Sequence, residues 1–193
     1  PQGISHIAKR LPEILEDGEN ALPGSFRRLL ARLGEHLQHL ARQVAELEGE
    51  ILRWHRDNEA SQRLAQIPGL GPLGASALLA TVGDAQTFAN GRRVSAWMGM
   101  VPRQASSGGK STLLGMSKRG DSYLRTLLIH GARSVLQQVE RHPERAAPWL
   151  KQLLARRPKN VVAVALANKN ARIAWALLAH GRAYARHYTP AAT

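Results

Sequence analysis

An uninterrupted run of nine apolar residues, spaced alternately by four and three, constrains this chain more than any other feature. This is a heptad pattern over about four heptads, typical of a helix that pairs with another helix in a coiled coil. One seam position holds Leu30, Leu37, Val44 and Ile51, and the other holds Phe26, Leu33, Leu40, Leu47 and Trp54. We expect a coiled-coil helix over residues 25–60 and a homo-oligomer formed through it. Pairing of this helix within the chain is the alternative.

The rest of the chain predicts a mainly α fold. Residues 1–24 contain a short apolar pattern that favours a short helix and a linker, and residues 61–188 predict a compact helical domain. Residues 189–193 are expected to form a tail. No segment shows convincing strand alternation, and residues 96–101 are the one short stretch that could be extended.

Charge divides the chain into two unlike parts. Formal net charge is +13, but residues 1–60 carry 8 Lys/Arg against 10 Asp/Glu, whereas residues 61–193 carry 19 Lys/Arg against four acids. A surplus of +15 over the second part predicts a polyanionic partner, and DNA is the leading candidate because basic side chains neutralise its phosphates. The alternative is a basic soluble domain without such a partner.

Composition narrows the setting. Because the chain has no cysteine, it forms neither disulfides nor thiolate metal sites. It shows no signal peptide and no apolar run of about 18 residues, so we expect no membrane partner. The absence of cysteine is also compatible with a reducing compartment.

Two glycines punctuate the start of the second domain. Residues 64–79 read as helix, tight turn and helix, with Gly69 and Gly71 on either side of Leu70, which should point inward. Such a turn resembles the helix-hairpin-helix motif, in which backbone N–H groups meet a DNA phosphate without reading bases. A helix connection with no ligand is the alternative.

A serine- and glycine-rich stretch follows at residues 102–112. It ends in Gly-Lys-Ser like a nucleotide-binding loop, but Gln104 stands where that pattern requires glycine, which argues against ATP binding. The other interpretation is a nucleophilic serine, Ser107 or its neighbour Ser106, which needs cations to stabilise phosphate oxygens that gain charge. An ordinary surface loop of the same composition is the simplest alternative.

Cations surround this stretch in the sequence, and they are candidate phosphate contacts, with a solvated charged face as the alternative. The candidates are Arg103, Lys110, Lys118, Arg119, Arg125 and Arg133. Arg125 and Arg133 fall on one face of a helix expected over residues 122–136, which Ser117, Asp121 or Ser122 could cap.

Four segments together resemble one known family. They are IPGLGPLGASALLATVGDAQTF from Ile67, GRRVSAWMGMVPRQASSGGK from Gly91, GMSKRGDSYLRTLLIHGAR from Gly115 and ALANKNARIAWALL from Ala165. In order and spacing these segments resemble the C-terminal transposase domain of the IS110/IS1111 (IS116/IS110/IS902) family. The preceding heptad helix also lies where those transposases carry a coiled coil.

The resemblance implies a DNA recombinase guided by a bridge RNA. It assigns the nucleophile to Ser107, with Ser106 as the competing choice, and makes Arg103, Lys110, Lys118 and Arg119 candidate contacts to phosphate or RNA. It also implies a RuvC-like acidic domain that binds Mg²⁺ ahead of the coiled coil. Because residues 61–193 hold only four acids, we expect this chain to be a fragment without that domain and without a cofactor of its own.

A second functional hypothesis stays open at this point. The hairpin, the charge and the coiled coil would also suit a structural DNA-binding and dimerisation module that performs no chemistry.

Overall fold

A computed structural model describes residues 3–107 and 110–185 of the chain, without the side chains of residues 106, 107, 110 and 111. The chain divides into two compact units, one up to Glu50 and the other from Ile51 onward. In the described residues the fold is mainly α, as predicted from the sequence, with one small two-stranded sheet.

The elements follow one another in this order: α1 (Ile4–Glu16), α2 (Gly24–Arg56), α3 (Glu59–Ala65), α4 (Pro72–Val82), α5 (Gly91–Trp97), β1 (Pro102–Ser107), β2 (Lys110–Met116), α6 (Ser122–Arg141), α7 (Pro148–Leu154) and α8 (Lys159–His180). Short 3₁₀ turns precede α5 and α7.

Short polar side chains begin several of these helices. The Asn58 carboxamide accepts a hydrogen bond from the Ser61 N–H at 2.9 Å at the start of α3. Asn90 accepts from the Arg92 and Arg93 N–H groups at the start of α5. Of the three candidate caps for α6, Asp121 is the one that fills the position, since its carboxylate accepts from the Leu124 N–H at 2.8 Å. Each cap satisfies an N–H group that the helix itself leaves unpaired.

The first unit consists of α1 packed on the N-terminal part of α2. Gly34 provides the room for this contact, because a Cβ there would lie 2.7 Å from the Leu11 side chain. The Arg27 guanidinium donates to the carbonyls of Leu15 at 2.6 Å and Asp17 at 2.9 Å, which lie at the C-terminal end of α1. A cation at that end satisfies unpaired carbonyls and complements the helix dipole.

The heptad seam of α2 remains largely open in the single chain. Leu30, Leu37 and Ile51 are half-buried, and no residue of α2 is buried. The other residues of the seam are all exposed: Phe26, Leu33, Leu40, Val44, Leu47 and Trp54. The predicted helix is therefore present over Gly24–Arg56, and its pairing with a second helix stays a prediction.

The second unit is organised around α8. This helix contacts α3, α5, α6 and α7, and its buried face includes Ala163, Leu166 and Leu177. The Trp175 indole N–H donates to the carbonyls of Ala85 at 2.9 Å and Phe88 at 3.2 Å, so this ring fixes the turn before α5. By length and apolar composition alone α8 could also span a membrane. Its buried face and its neighbours on several sides identify it as the core helix of this unit.

The turn between α3 and α4 rests directly on the backbone of α6. Leu70 is 2% exposed and points into the core, as the sequence predicts. Gly69 adopts a φ of +85°, and a Cβ on it would lie 2.5 Å from the Gly131 carbonyl oxygen. A Cβ on Gly131 would in turn reach 1.7 Å from the Gly69 carbonyl oxygen. The Asn170 carboxamide donates to the Pro68 carbonyl at 2.8 Å, so α8 holds the same turn from another side.

Two sequence expectations about extended structure are wrong. Residues 96–101, which could have been extended, form the end of α5 and a turn. The serine- and glycine-rich stretch at residues 102–112, expected to be a loop, instead lies in the antiparallel ribbon of β1 and β2. Polar and small residues occupy both strands, and Leu113 is 68% exposed. A ribbon with neither face buried in the core needs no hydrophobic alternation, which is why the pattern did not reveal it.

Replacing Gly131 with alanine should destabilise the second unit. The added Cβ would force the turn at Gly69 away from α6, and overpacking of this kind costs about 1–3 kcal/mol. Gly71→Ala is the matched control, because nothing lies within 4 Å of a Cβ there. Thermal or urea unfolding of both variants measures the difference. Equal stability of the two variants would contradict the close contact.

Candidate nucleic-acid interface

The two glycines of the turn have different surroundings. Gly69 is needed where the chain crosses α6, since both its positive φ and its contact with Gly131 exclude a side chain. Gly71 is exposed, has an ordinary φ of −78° and stands as N-cap of α4 with open space beside it. A phosphate approaching the N-terminus of α4 would therefore meet Gly71 rather than Gly69.

The ribbon carries both candidate serines near its tip. Ser107 is the last residue of β1 and pairs in register with Lys110, and Ser106 pairs with Ser111. Successive positions of a strand belong to opposite faces, so the two serines are not equivalent. Gly108 and Gly109, which we expect to leave room beside Ser107, lie outside the described residues.

The candidate cations divide between the two ends of the ribbon. Lys110 is the register partner of Ser107 at the tip, whereas Arg103 follows Pro102, which pairs with Met116 at the base. Ser107 lies four positions beyond Arg103 along the strand, a distance of about 13 Å at roughly 3.3 Å per position. From the base of the ribbon the chain continues into Lys118 and Arg119. Of the four cations nearest to the ribbon in the sequence, Arg103, Lys118 and Arg119 therefore lie away from Ser107.

Lys118 is held in a strained backbone conformation. Its φ of 56° is the one positive value of a non-glycine residue among the described parts of the chain. The Lys118 N–H donates to the Gly99 carbonyl at 3.0 Å, and the Ser117 N–H donates to the Val101 carbonyl at 2.8 Å. A Cβ on Gly120 would overlap the Trp97 carbonyl. The segment is thus locked against the end of α5, with the Lys118 side chain exposed.

Arg125 and Arg133 do not play equivalent parts on α6. The half-buried Arg125 guanidinium donates to the Met98 carbonyl at 3.0 Å and the Asp121 carbonyl at 3.4 Å, so it ties α6 to the end of α5. Arg133 is exposed, and its guanidinium donates to the Asn160 carboxamide at 3.5 Å. Arg133 is therefore the one of the pair whose position suits a phosphate contact.

Sequence reasoning passed over Lys169. Its ammonium lies 4.0 Å from the ring centroid of Trp149, a cation–π geometry. Burial, together with the neighbouring positive charge of Arg172, holds the pKa of Lys169 below its ordinary value. The signal that could have found it is the polar triplet Asn168-Lys169-Asn170 within an otherwise apolar helix.

The described residues offer no donor set for a metal ion. No group of three or more His, Asp or Glu side chains lies close enough together within residues 3–107 and 110–185. The family resemblance places Mg²⁺ on a RuvC-like acidic domain ahead of the coiled coil, not on the described residues.

The second unit is a basic helical domain with an exposed serine-bearing ribbon. Comparison with known proteins finds similar sequences among transposases. Residues 61–149 match the model of the transposase IS116/IS110/IS902 family. A probable family 20 transposase of Pseudomonas aeruginosa is 51% identical, covering 84% of this chain and 48% of the relative. The transposase for insertion sequence element IS1328 of Yersinia enterocolitica is 45% identical, covering 96% and 55%. The transposase for IS1111A of Coxiella burnetii is 43% identical, covering 95% and 50%.

The part of the chain matched by that model, residues 61–149, belongs to the IS116/IS110/IS902 family of transposases. The chain spans about half the length of the curated relatives that it matches.

Lys118→Gly should stabilise the second unit and weaken its binding to a DNA duplex. Glycine relieves the positive φ, which costs another residue about 1 kcal/mol, while the lost charge should reduce the slope of log K against log salt by about 1. Lys118→Ala is the matched control, because it removes the charge and keeps the strain. Unfolding midpoints and a salt titration of binding test both points. Unchanged binding in both variants would remove Lys118 from the interface.

Proposed function

We propose that this chain is the DNA-holding and nucleophile-bearing part of an insertion-sequence transposase, with Ser107 as the nucleophile. The observation that carries the proposal is the register of the ribbon, which pairs Ser107 with Lys110 near the tip, in a chain that matches a transposase family. A lysine at the register position opposite a serine suits attack of the hydroxyl on a phosphate, because a cation stabilises the oxygens that gain negative charge.

The proposed step is a transesterification. The Ser107 hydroxyl oxygen attacks phosphorus and forms a P–O bond, while the bond from phosphorus to one strand oxygen breaks. Water or a base takes the serine proton, and the leaving strand oxygen becomes a hydroxyl by taking up a proton. The phosphoserine linkage keeps the energy of the phosphodiester, so attack by a new strand hydroxyl rejoins DNA and frees the serine.

DNA binding in this proposal is directed at the backbone. Three observations support it. Residues 61–193 carry a surplus of +15, and the N-terminus of α4 is open at Gly71. Four candidate cations are also exposed: Arg103, Lys118, Arg119 and Arg133. Contacts of this kind position a protein on a duplex without selecting sequence. A guide RNA, which the family resemblance implies, would then select the target sequence. The protein would act in the bacterial cytoplasm, at the nucleoid.

The exposed seam of α2 supports self-association as part of the same function. Six of its nine apolar residues are exposed, a stripe far larger than isolated surface residues would make. A second copy carrying the same heptad register would cover it.

Trapping of a covalent adduct tests the nucleophile. The intact protein is incubated with a nicked duplex that cannot be resealed, and adducts are located by mass spectrometry. Wild type should yield a phosphoserine at Ser107, and Ser107→Ala should reduce the yield by at least about 10³-fold, as for loss of other enzymic nucleophiles.

Ser106→Ala is the matched neighbour and should retain the adduct. Loss of the adduct in that variant alone would move the assignment to Ser106. If the wild-type protein binds DNA and forms no adduct, the chain is instead a structural DNA-binding and dimerisation module.

Leu40→Glu combined with Leu47→Glu should convert the protein to a monomer. Both side chains are exposed in the single chain, so the substitutions should spare its fold, whereas two charges in a seam prevent helix pairing. His39→Glu, off the seam of the same helix, is the control. Sedimentation velocity measures the state, and a monomeric wild type would exclude the coiled coil.

A further inference from the structure

A cavity of about 730 Å³ opens beside the glycine turn and has no part in the proposed chemistry. Pro68 and Gly69 form one edge of it, α6 and α8 form its walls, and the start of α7 closes one side. Its volume falls within the range of about 300–1,000 Å³ typical of small-molecule sites. The cavity and the proposed backbone contact therefore share the same turn.

Lys169 and Trp149 supply the polar and aromatic features of this cavity. The ammonium lies over the ring at 4.0 Å, and within the described residues no carboxylate forms an ion pair with it. Burial and the nearby positive charge of Arg172 both disfavour the charged ammonium and hold the pKa of Lys169 below its ordinary value. An anionic group entering the cavity would supply a counter-charge to this ammonium.

The other charges of the lining favour an anion as well. Glu144 is the one carboxylate among the described lining residues. It already faces the His142 ring nitrogen at 3.5 Å and the Arg145 guanidinium at 3.7 Å. Among the described lining residues, two basic side chains, Lys169 and Arg145, therefore stand against one carboxylate.

The apolar part of the lining suits a flat, weakly polar group. Val135 and Val139 from α6, Leu150 from α7 and Leu166 from α8 line the same cavity as Lys169. A ligand that combines an anion with a flat heterocycle matches this division, since the heterocycle would cover the apolar wall while its phosphate approaches the ammonium. A nucleotide has this chemistry.

We propose that the cavity between the glycine turn, α6, α7 and α8 receives one unpaired nucleotide of the bound nucleic acid, with Lys169 at its phosphate. The inference rests on the proposed DNA binding, because the duplex held at the turn would bring the nucleotide to the cavity edge at Pro68 and Gly69. The site would thereby prefer bulged or unpaired positions in a duplex.

Binding of matched duplexes tests this inference. One duplex is fully paired, and a second of equal length carries a single unpaired 2-aminopurine nucleotide. The intact protein should bind the bulged duplex about tenfold more tightly, as expected for one charge-assisted contact with base burial, and the 2-aminopurine emission should change on binding. A ribonucleotide bulge in a parallel arm distinguishes RNA from DNA as the source of the nucleotide, and a preference for either supports the site.

Substitutions of single lysines test whether the charge of Lys169 produces the preference for the bulged duplex. Lys169→Gln should abolish the preference for the bulge while weakening binding of the paired duplex no more than loss of another lysine does, whereas Lys169→Arg should retain the preference. Lys151→Gln, an exposed lysine of α7 outside the cavity lining, is the matched control and should behave as wild type. Circular dichroism confirms that each variant is folded.

The outcomes separate this inference from the proposed function. Binding of the paired duplex without any preference for the bulge, or a preference that survives in folded Lys169→Gln, overturns the nucleotide site and leaves DNA binding intact. Failure to bind either duplex overturns the proposed DNA binding together with this inference.

Discussion

The close approach of two backbones at Gly69 and Gly131 is the contact on which the second unit depends. It brings the turn between α3 and α4 onto α6 at a distance that no side chain would permit. Asn170 bonds the same turn to α8, so three elements meet at one short segment. Because Gly71 lies two residues beyond this contact, the N-terminus of α4, one of the proposed DNA contacts, is held in place through α6 and α8 rather than on a separate loop.

Different parts of the second unit have different proposed roles. In the proposed function, the turn offers Gly71 to the backbone of a duplex, the base of the ribbon adds exposed cations, and the tip carries the serine. Arg125, which looks in the sequence like another phosphate contact, instead joins α6 to the end of α5. A cation between two carbonyl oxygens inside a fold is a structural group, and sequence spacing alone does not distinguish it from a binding group.

Much of the helical structure could be predicted, because its signals are local or strictly periodic. The heptads specify α2, Asp121 is a recognisable cap, and the burial of Leu70 follows from a tight turn between apolar helices. The ribbon could not be predicted from periodicity, since exposed residues such as Leu113 carry no inward-facing pattern; Gly108-Gly109 between two short runs was the remaining signal. The setting of Lys169 depends on Trp149, twenty residues away, and so required the tertiary structure.

The exposed two-stranded ribbon affects the entropy cost of the proposed attack by Ser107, because the ribbon must be ordered before the reaction. Most of β1 and β2 is exposed along the described positions, and only Met116 at the base packs against the core. Hydrogen bonds of an isolated pair of strands open at a low free energy compared with those of the core helices. In the proposed reaction, alignment of Ser107 with a phosphodiester would then be completed by the nucleic acid, and part of its binding free energy would be consumed in ordering the ribbon. The proposed reactivity of the hydroxyl would thereby be coupled to the presence of the correct assembly.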